Sequence, residues 1–138
     1  KRKGFTQSDG SGLSRQNYVS ARFFCNYFAQ MKSSSEFTTF FTSLPVPGGP
    51  GTLKTVLAKA DTLKKARLHA KSGSLANVRC YAGYVQRASG ELIHFAILVN
   101  NFSARTAQMQ VGIEGFMNEL LNYCQNFIII SPLLPIFD

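Results

Sequence analysis

The sequence is short of metal-binding groups and of acidic residues. It has two histidines, His69 and His94, and three cysteines, Cys25, Cys80 and Cys124, with no CxxC pair among them. A tetrahedral zinc site needs clustered thiolate and imidazole ligands, so no metal is expected, and no motif calls for another cofactor. An odd number of widely separated cysteines does not make a complete disulfide framework, and all three read as small core residues. Seven Asp and Glu stand against fifteen Lys and Arg, giving a net charge of +8. Such a balance suits a ligand bearing carboxylates, an anionic surface or nucleic acid, and does not choose among them. No charged start followed by an apolar run and a small-residue cleavage site opens the chain. The apolar tail over 126–138 is too short, and too broken by Pro132 and Pro135, to span a bilayer.

What is present is enough for one core: 138 residues, of which 45% are apolar. The stretch SDGSGLSRQN (Ser8 to Asn17) reads as a loop, and because it departs from the D-x-[DN]-x-[DN]-G calcium pattern it is a structural turn. Ser20 can cap a helix whose Phe23, Phe24, Tyr27, Phe28 and Met31 form one apolar stripe. Residues 32–36 break that helix, a second apolar piece runs from Phe37 to Leu44, and the prolines and glycines of 45–51 form a stiffened loop. Leu53 to Lys65 allows a short helix or turn with its lysines in water. A strand from Lys65 to Lys71 would bury Ala66, Leu68 and Ala70 and leave Arg67, His69 and Lys71 on a polar face. Val78 to Arg87 and Leu92 to Asn100, joined by residues 88–91, read as a hairpin, so three antiparallel strands in sequence order are expected. A helix capped by Ser103 should follow, with Met109, Ile113, Phe116, Met117, Leu120, Leu121 and Cys124 across the sheet. The fold class is α/β (α+β), an antiparallel sheet with flanking helices.

Several candidate sites dissolve on inspection. GGPGTLKT (Gly48 to Thr55) mimics a phosphate loop, but Leu53 replaces the required glycine and Pro50 lacks an N–H. His94 sits mid-strand as a satisfied histidine, and His69 also reads as structural. Lys71-Ser72-Gly73-Ser74 remains. A strand end followed by a turn explains it when taken alone, but its context along the chain adds more.

Taken in order, Ser8 to Asn17, then Ser43-Leu44-Pro45 with Gly51-Thr52-Leu53, then Ala70-Lys71-Ser72-Gly73-Ser74-Leu75, resemble serine D-alanyl-D-alanine carboxypeptidases of the class C low-molecular-mass penicillin-binding proteins. The resemblance runs from about Ser8 to Cys124. It implies that residues 1–125 are the C-terminal part of a penicillin-binding, serine β-lactamase-like transpeptidase fold, with 126–138 a tail of unassigned role. It implies peptidoglycan stem peptides as substrates, β-lactams as ligands, and an extracytoplasmic location in a bacterium, either periplasm or cell envelope.

Such enzymes use three boxes, S-x-x-K, S-x-N and K-[TS]-G, and only the third is found here, as Lys71-Ser72-Gly73. By the resemblance, Lys71, Ser72 and Ser74 bind the substrate carboxylate, Lys71 and Ser72 being the catalytic members. Gly73 admits the substrate backbone, and the N–H of Ser74 is one oxyanion donor. Strict alternation points Lys71 and Ser72 to opposite faces, and the resemblance favours a substrate lying along the strand edge. No serine in the sequence begins an S-x-x-K or S-x-N box, so the nucleophile and its base are expected on a missing N-terminal part of the same protein. The basic start Lys1-Arg2-Lys3 fits a cut within a longer chain, about whose C-terminal third this is expected to be. Two other readings stand beside this one: a non-catalytic peptidoglycan-binding remnant, and a basic nucleic-acid-binding module. The second lacks RNP-type interleaving of aromatic and basic residues, so no nucleic acid is expected as a partner.

Overall fold

Asp9 and Asn17 organise the first turn of the chain. The Asp9 carboxylate accepts from the Ser11 hydroxyl, from the Gly12 and Ser14 N–H groups and from the Asn17 side-chain amide, while the Asn17 side-chain oxygen accepts from the N–H groups of Ser8 and Asp9. The glycine-serine loop is therefore closed on itself, as a structural turn requires. Two short strands bracket it, β1 (Phe5–Thr6) and β2 (Tyr18–Val19), paired antiparallel in a small sheet that no sequence pattern had indicated. The structure is a computed structural model and describes residues 4–122. The first three residues, Cys124 and the apolar tail lie outside that range.

Helix α1 (Ala21–Lys32) begins where expected, with the Ser20 hydroxyl accepting from the Phe23 N–H. Its apolar stripe carries Phe28 into the core, although Tyr27 stays on the surface. Helices α2 (Phe37–Ser43) and α3 (Thr62–Lys65) follow. Between them, Leu53, Val56 and Leu57 are buried in the main core, while Lys54 and Lys59 are exposed. The three strands are β3 (Leu68–Leu75), β4 (Val78–Gln86) and β5 (Leu92–Asn100), antiparallel and in sequence order. Helix α4 (Thr106–Asn122) closes the described chain. It starts three residues after Ser103. Gln108 supplies the start instead, its side-chain oxygen accepting from the Arg105 N–H while its own N–H donates to the Arg105 carbonyl.

The sheet is covered on both sides. On one face Phe28, Leu44, Ala82 and Tyr84 form a core with α1 and α2. On the other, Leu68, Ala70, Tyr81, Val85 and Phe95 pack against Ile113, Met117 and Leu121 of α4. This corrects two expectations for the first strand. It begins at Leu68 and runs to Leu75, so Lys71-Ser72-Gly73 lies inside it and not past its end, and Ala66, before the strand, is exposed. Its His69 face is not open to water either, because Phe41 of α2 stacks on the His69 ring at 4.0 Å between centroids.

Register along β3 and β4 is unbroken from Leu68↔Val85 to Leu75↔Val78, and a two-residue turn with Asn77 at φ 56° joins them. Gly83 sets how closely they approach. A Cβ there would run into the His69 carbonyl oxygen and come within 2.7 Å of Ala70 Cα, both of them backbone. Gly83→Ala should therefore push β3 off β4. It is expected to lower stability by about 1–3 kcal/mol, as overpacking does, read as a lower urea midpoint. An unchanged midpoint would show that the strands separate without penalty.

Candidate functional site

Strand β3 differs between its two halves. Its first half is covered on its face by Phe41 against His69 and on its edge by Pro45, whose carbonyl accepts from the Ala70 N–H at 3.0 Å. In its second half Lys71, Gly73, Ser74 and Leu75 are exposed and Ser72 is half-buried. The candidate residues thus occupy the open part of an edge strand.

The direction of the backbone groups follows from the register. The Arg67 carbonyl accepts from Gln86 and so faces β4, whereas the Ala70 N–H faces outward to Pro45. In an antiparallel ladder these directions alternate, so Ser72 and Ser74, like Ala70, turn their N–H and C=O toward the free edge. The side chains alternate as well: Lys71 lies opposite Ala82 on the α1 face, and Ser72 lies opposite Tyr81 on the α4 face. The conflict foreseen from the sequence is therefore present at the Cβ atoms. Lysine is long enough, however, for its Nζ to fold over to the edge, where it donates to the Ser72 carbonyl at 2.6 Å.

Gly73 is opposite Cys80, and a Cβ added to it would meet only Cys80 Cβ at 3.8 Å, an ordinary contact. Among the described residues, no packing contact requires glycine there. Beside it, on the α1 face, a cavity of about 160 Å³ is lined by Phe24, Phe28, Lys71, Cys80 and Leu98 among others. The half-buried Cys80 thiol is raised in pKa by desolvation, which keeps it a thiol and a poor nucleophile.

The sheet behind the box is held by polar contacts. The Tyr81 hydroxyl donates to the Gln110 side-chain oxygen at 3.0 Å, and the Gln110 amide donates to Glu114 at 2.8 Å. The Tyr84 hydroxyl donates to the Phe28 carbonyl at 2.9 Å, and burial, followed by the neighbouring Tyr27, pushes its pKa up to about 12. Burial lowers the pKa of His69, with the Ala66 and Phe41 carbonyls opposing it. A neutral imidazole under α2 adds no charge to Lys71, as befits a structural histidine. The false phosphate loop is settled too: Leu53, at the position needing glycine, is fully buried.

The contact between Pro45 and Ala70 had no sequence signal, because it is made by a backbone carbonyl. Gly83 did carry one, since an isolated glycine within a strand marks close backbone approach.

An antiparallel sheet between helical layers, with a Lys-Ser-Gly-Ser edge, defines part of a penicillin-binding fold. The chain superposes on penicillin binding protein 4 (dacB) from Haemophilus influenzae with a TM-score of 0.73 at 27% identity, covering 86% of this chain and 28% of that one. It superposes on the same protein complexed with a β-lactam with a TM-score of 0.72 at 26% identity, covering 86% and 29%. Residues 2–120 match the model of the D-Ala-D-Ala carboxypeptidase 3 (S13) family, and the chain belongs to that family. A D-alanyl-D-alanine carboxypeptidase from Actinomadura sp. is 35% identical over 105 residues, covering 72% of this chain and 19% of that protein. The carboxypeptidase DacB of Haemophilus influenzae is 28% identical over 123 residues, covering 84% and 26%. The chain thus spans 19% and 26% of these two relatives, against the third expected from the sequence.

Proposed function

We propose that this chain supplies the carboxylate-binding and oxyanion side of a serine-type D-alanyl-D-alanine carboxypeptidase site acting on peptidoglycan stem peptides. The observation that carries the reading is the Lys71 ammonium folded onto the open edge at Ser72, where Ser72 and Ser74 turn their backbone groups outward and a Cβ added at Gly73 would meet only an ordinary contact. A peptide ending in D-alanine presents a carboxylate one residue beyond the bond to be cut. Lys71 with the Ser72 and Ser74 hydroxyls would hold that carboxylate through charge-assisted hydrogen bonds. The Ser74 N–H would meet the oxygen of the scissile carbonyl as it gains charge, and the bare edge at Gly73 would let the substrate backbone lie close.

A nucleophilic serine and its lysine base would come from the segment carrying S-x-x-K. Attack would form an acyl-enzyme and expel D-alanine, and water would then release the shortened peptide. β-Lactams carry a carboxylate near a reactive carbonyl and would use the same edge, in line with the relative solved with one bound. Because peptidoglycan lies outside the cytoplasmic membrane, the reading places the protein in the periplasm or cell envelope.

The test is D-alanine release from a stem pentapeptide by the protein joining this chain to its nucleophile-bearing segment. Ser72→Thr keeps the hydroxyl and should retain most activity. Ser72→Ala should lose about 1–3 kcal/mol of transition-state binding, roughly 5- to 150-fold in kcat/KM. Equal rates for all three would remove this hydroxyl from the site. Peptide binding without D-alanine release would leave only a peptidoglycan-binding role.

A further inference from the structure

We propose that residues 54–67 form a docking surface for the headgroup layer of an anionic phospholipid bilayer. This surface is separate from the Lys71-Ser72-Gly73 box, which β3 carries away from it: Ser72 is four residues, about 13 Å, past Leu68. Lys54, Lys59, Lys64, Lys65 and Arg67 place five of the chain's fifteen basic residues within fourteen of its 138 positions. A third of the positive charge in a tenth of the length makes a local field of one sign. The one acid among them, Asp61, is committed to α3, where its side chain accepts from the Lys64 N–H at 2.8 Å. Among the described residues, no carboxylate lies within ion-pair distance of the five. The Lys65 ammonium donates to the Ala58 carbonyl at 3.0 Å, and the Arg67 guanidinium to the Gln86 and Leu121 carbonyls at 3.4 and 3.3 Å. Such contacts hold two of the charges in place without neutralising them.

The apolar residues of the segment single out a bilayer. Leu53, Val56 and Leu57 are buried and pin it to the core, whereas Leu63 is left 81% exposed, more than any other exposed large apolar side chain among the described residues. A lone exposed leucine needs no explanation, but one set among cations that lack carboxylate partners has the make-up of an interfacial anchor, with basic groups for lipid phosphates and an apolar side chain for the acyl boundary. Thr62, its neighbour, opens on a cavity of about 300 Å³ whose lining includes Val46, Pro47, Lys65 and Ala66, apolar side chains beside a lysine. A soluble anionic polymer would engage the lysines and gain nothing from Leu63. A bilayer uses both.

The experiment uses the protein with its nucleophile-bearing segment, sedimented with vesicles of phosphatidylcholine alone or mixed with phosphatidylglycerol, at low and at high salt. Binding is expected to the mixed vesicles only, and to weaken as salt screens their surface. Each lysine is worth about fivefold, so Lys54→Gln, Lys59→Gln and Lys64→Gln together should weaken binding on the order of 100-fold at low salt. Leu63→Ser should weaken it by about tenfold, by a factor that salt leaves nearly unchanged, because apolar burial is not screened. All four side chains are exposed or half-buried, so the urea midpoint and the rate of penicillin acylation should match the parent's and show both variants folded. No binding, equal binding to both kinds of vesicle, or parent-like binding by the triple variant overturns the inference. So does parent-like binding by Leu63→Ser, and tight binding of that variant to isolated peptidoglycan would then assign the surface to an anionic polymer. The carboxypeptidase reading is tested by D-alanine release and survives each of these failures.

Discussion

Incubated with a fluorescent penicillin, the 138-residue chain by itself is expected to form no covalent adduct, whereas the same chain joined to the segment bearing S-x-x-K is expected to be labelled stoichiometrically. Acylation needs a nucleophile, a base within hydrogen-bond reach and oxyanion donors together, and removing the nucleophile leaves only the small contribution of binding and dipoles. Among the described residues, the Ser11 hydroxyl donates to Asp9 at 2.7 Å in the loop of residues 8–17, and the Ser35 hydroxyl donates to Glu36 at the longer distance of 3.4 Å. Asp9 is a poor base, however. Hydrogen bonds from Asn17, then Ser11, hold its pKa below the ordinary carboxylate value, so it has little tendency to take a proton at neutral pH. Ser14 accepts from the Gln16 N–H and has the same poor base beside it, its own N–H donating to Asp9 at 3.2 Å. Intact mass spectrometry is the measurement. A stoichiometric adduct on the isolated chain would make Ser11 or Ser14 a nucleophile and overturn the division of the site between two segments.

In the joined protein, Lys71→Ala is expected to slow penicillin acylation by roughly 10- to 150-fold or more, the equivalent of about 1.5–3 kcal/mol for a lost charge-assisted contact. The exposed ammonium sits at 2.6 Å from the Ser72 carbonyl, and its removal takes away the positive charge at the edge where the carboxylate would dock. The fold should not suffer, because Lys71 is exposed and its one described hydrogen bond is to the neighbouring residue. His69→Ala is the matching control two residues earlier. It removes the stack on Phe41 from a neutral ring and should cost stability more than acylation. Stopped-flow acylation of both variants separates the cases. Unchanged acylation in Lys71→Ala removes the lysine from the site, and equal damage from His69→Ala makes the imidazole part of it.

Local chemistry was legible in the sequence. The loop residues of SDGSGLSRQN satisfy one another, Ser20 caps α1 through its own hydroxyl, and two β-prone runs with a four-residue break form the hairpin of β4 and β5. Each depends on groups a few residues apart, so periodicity and turn chemistry suffice to find them. The motif Lys71-Ser72-Gly73 was legible for the same reason, as was the alternation that sends its side chains to opposite faces. Less was visible in the segment around Leu53, Val56 and Leu57, whose apolar residues follow no single period and are buried by the sheet and α4.

The sequence by itself determined the order of β3, β4 and β5, the Ser20 cap and the family, and it marked Lys71-Ser72-Gly73 as the candidate box, whereas β1, β2, the bounds of β3 and the start of α4 were outside its reach. Only the tertiary structure decided where the box is open. That depends on Pro45 reaching the Ala70 N–H, on Phe41 covering His69, and on Gly83 letting β3 approach β4. It depends also on a lysine long enough to bring its charge from one face of the strand to the edge. The first three are contacts between groups far apart in the chain, two of them made by backbone atoms that every residue carries, and only Gly83 is announced by its residue type. The fourth is a choice of rotamer, made by the space that the folded sheet leaves free.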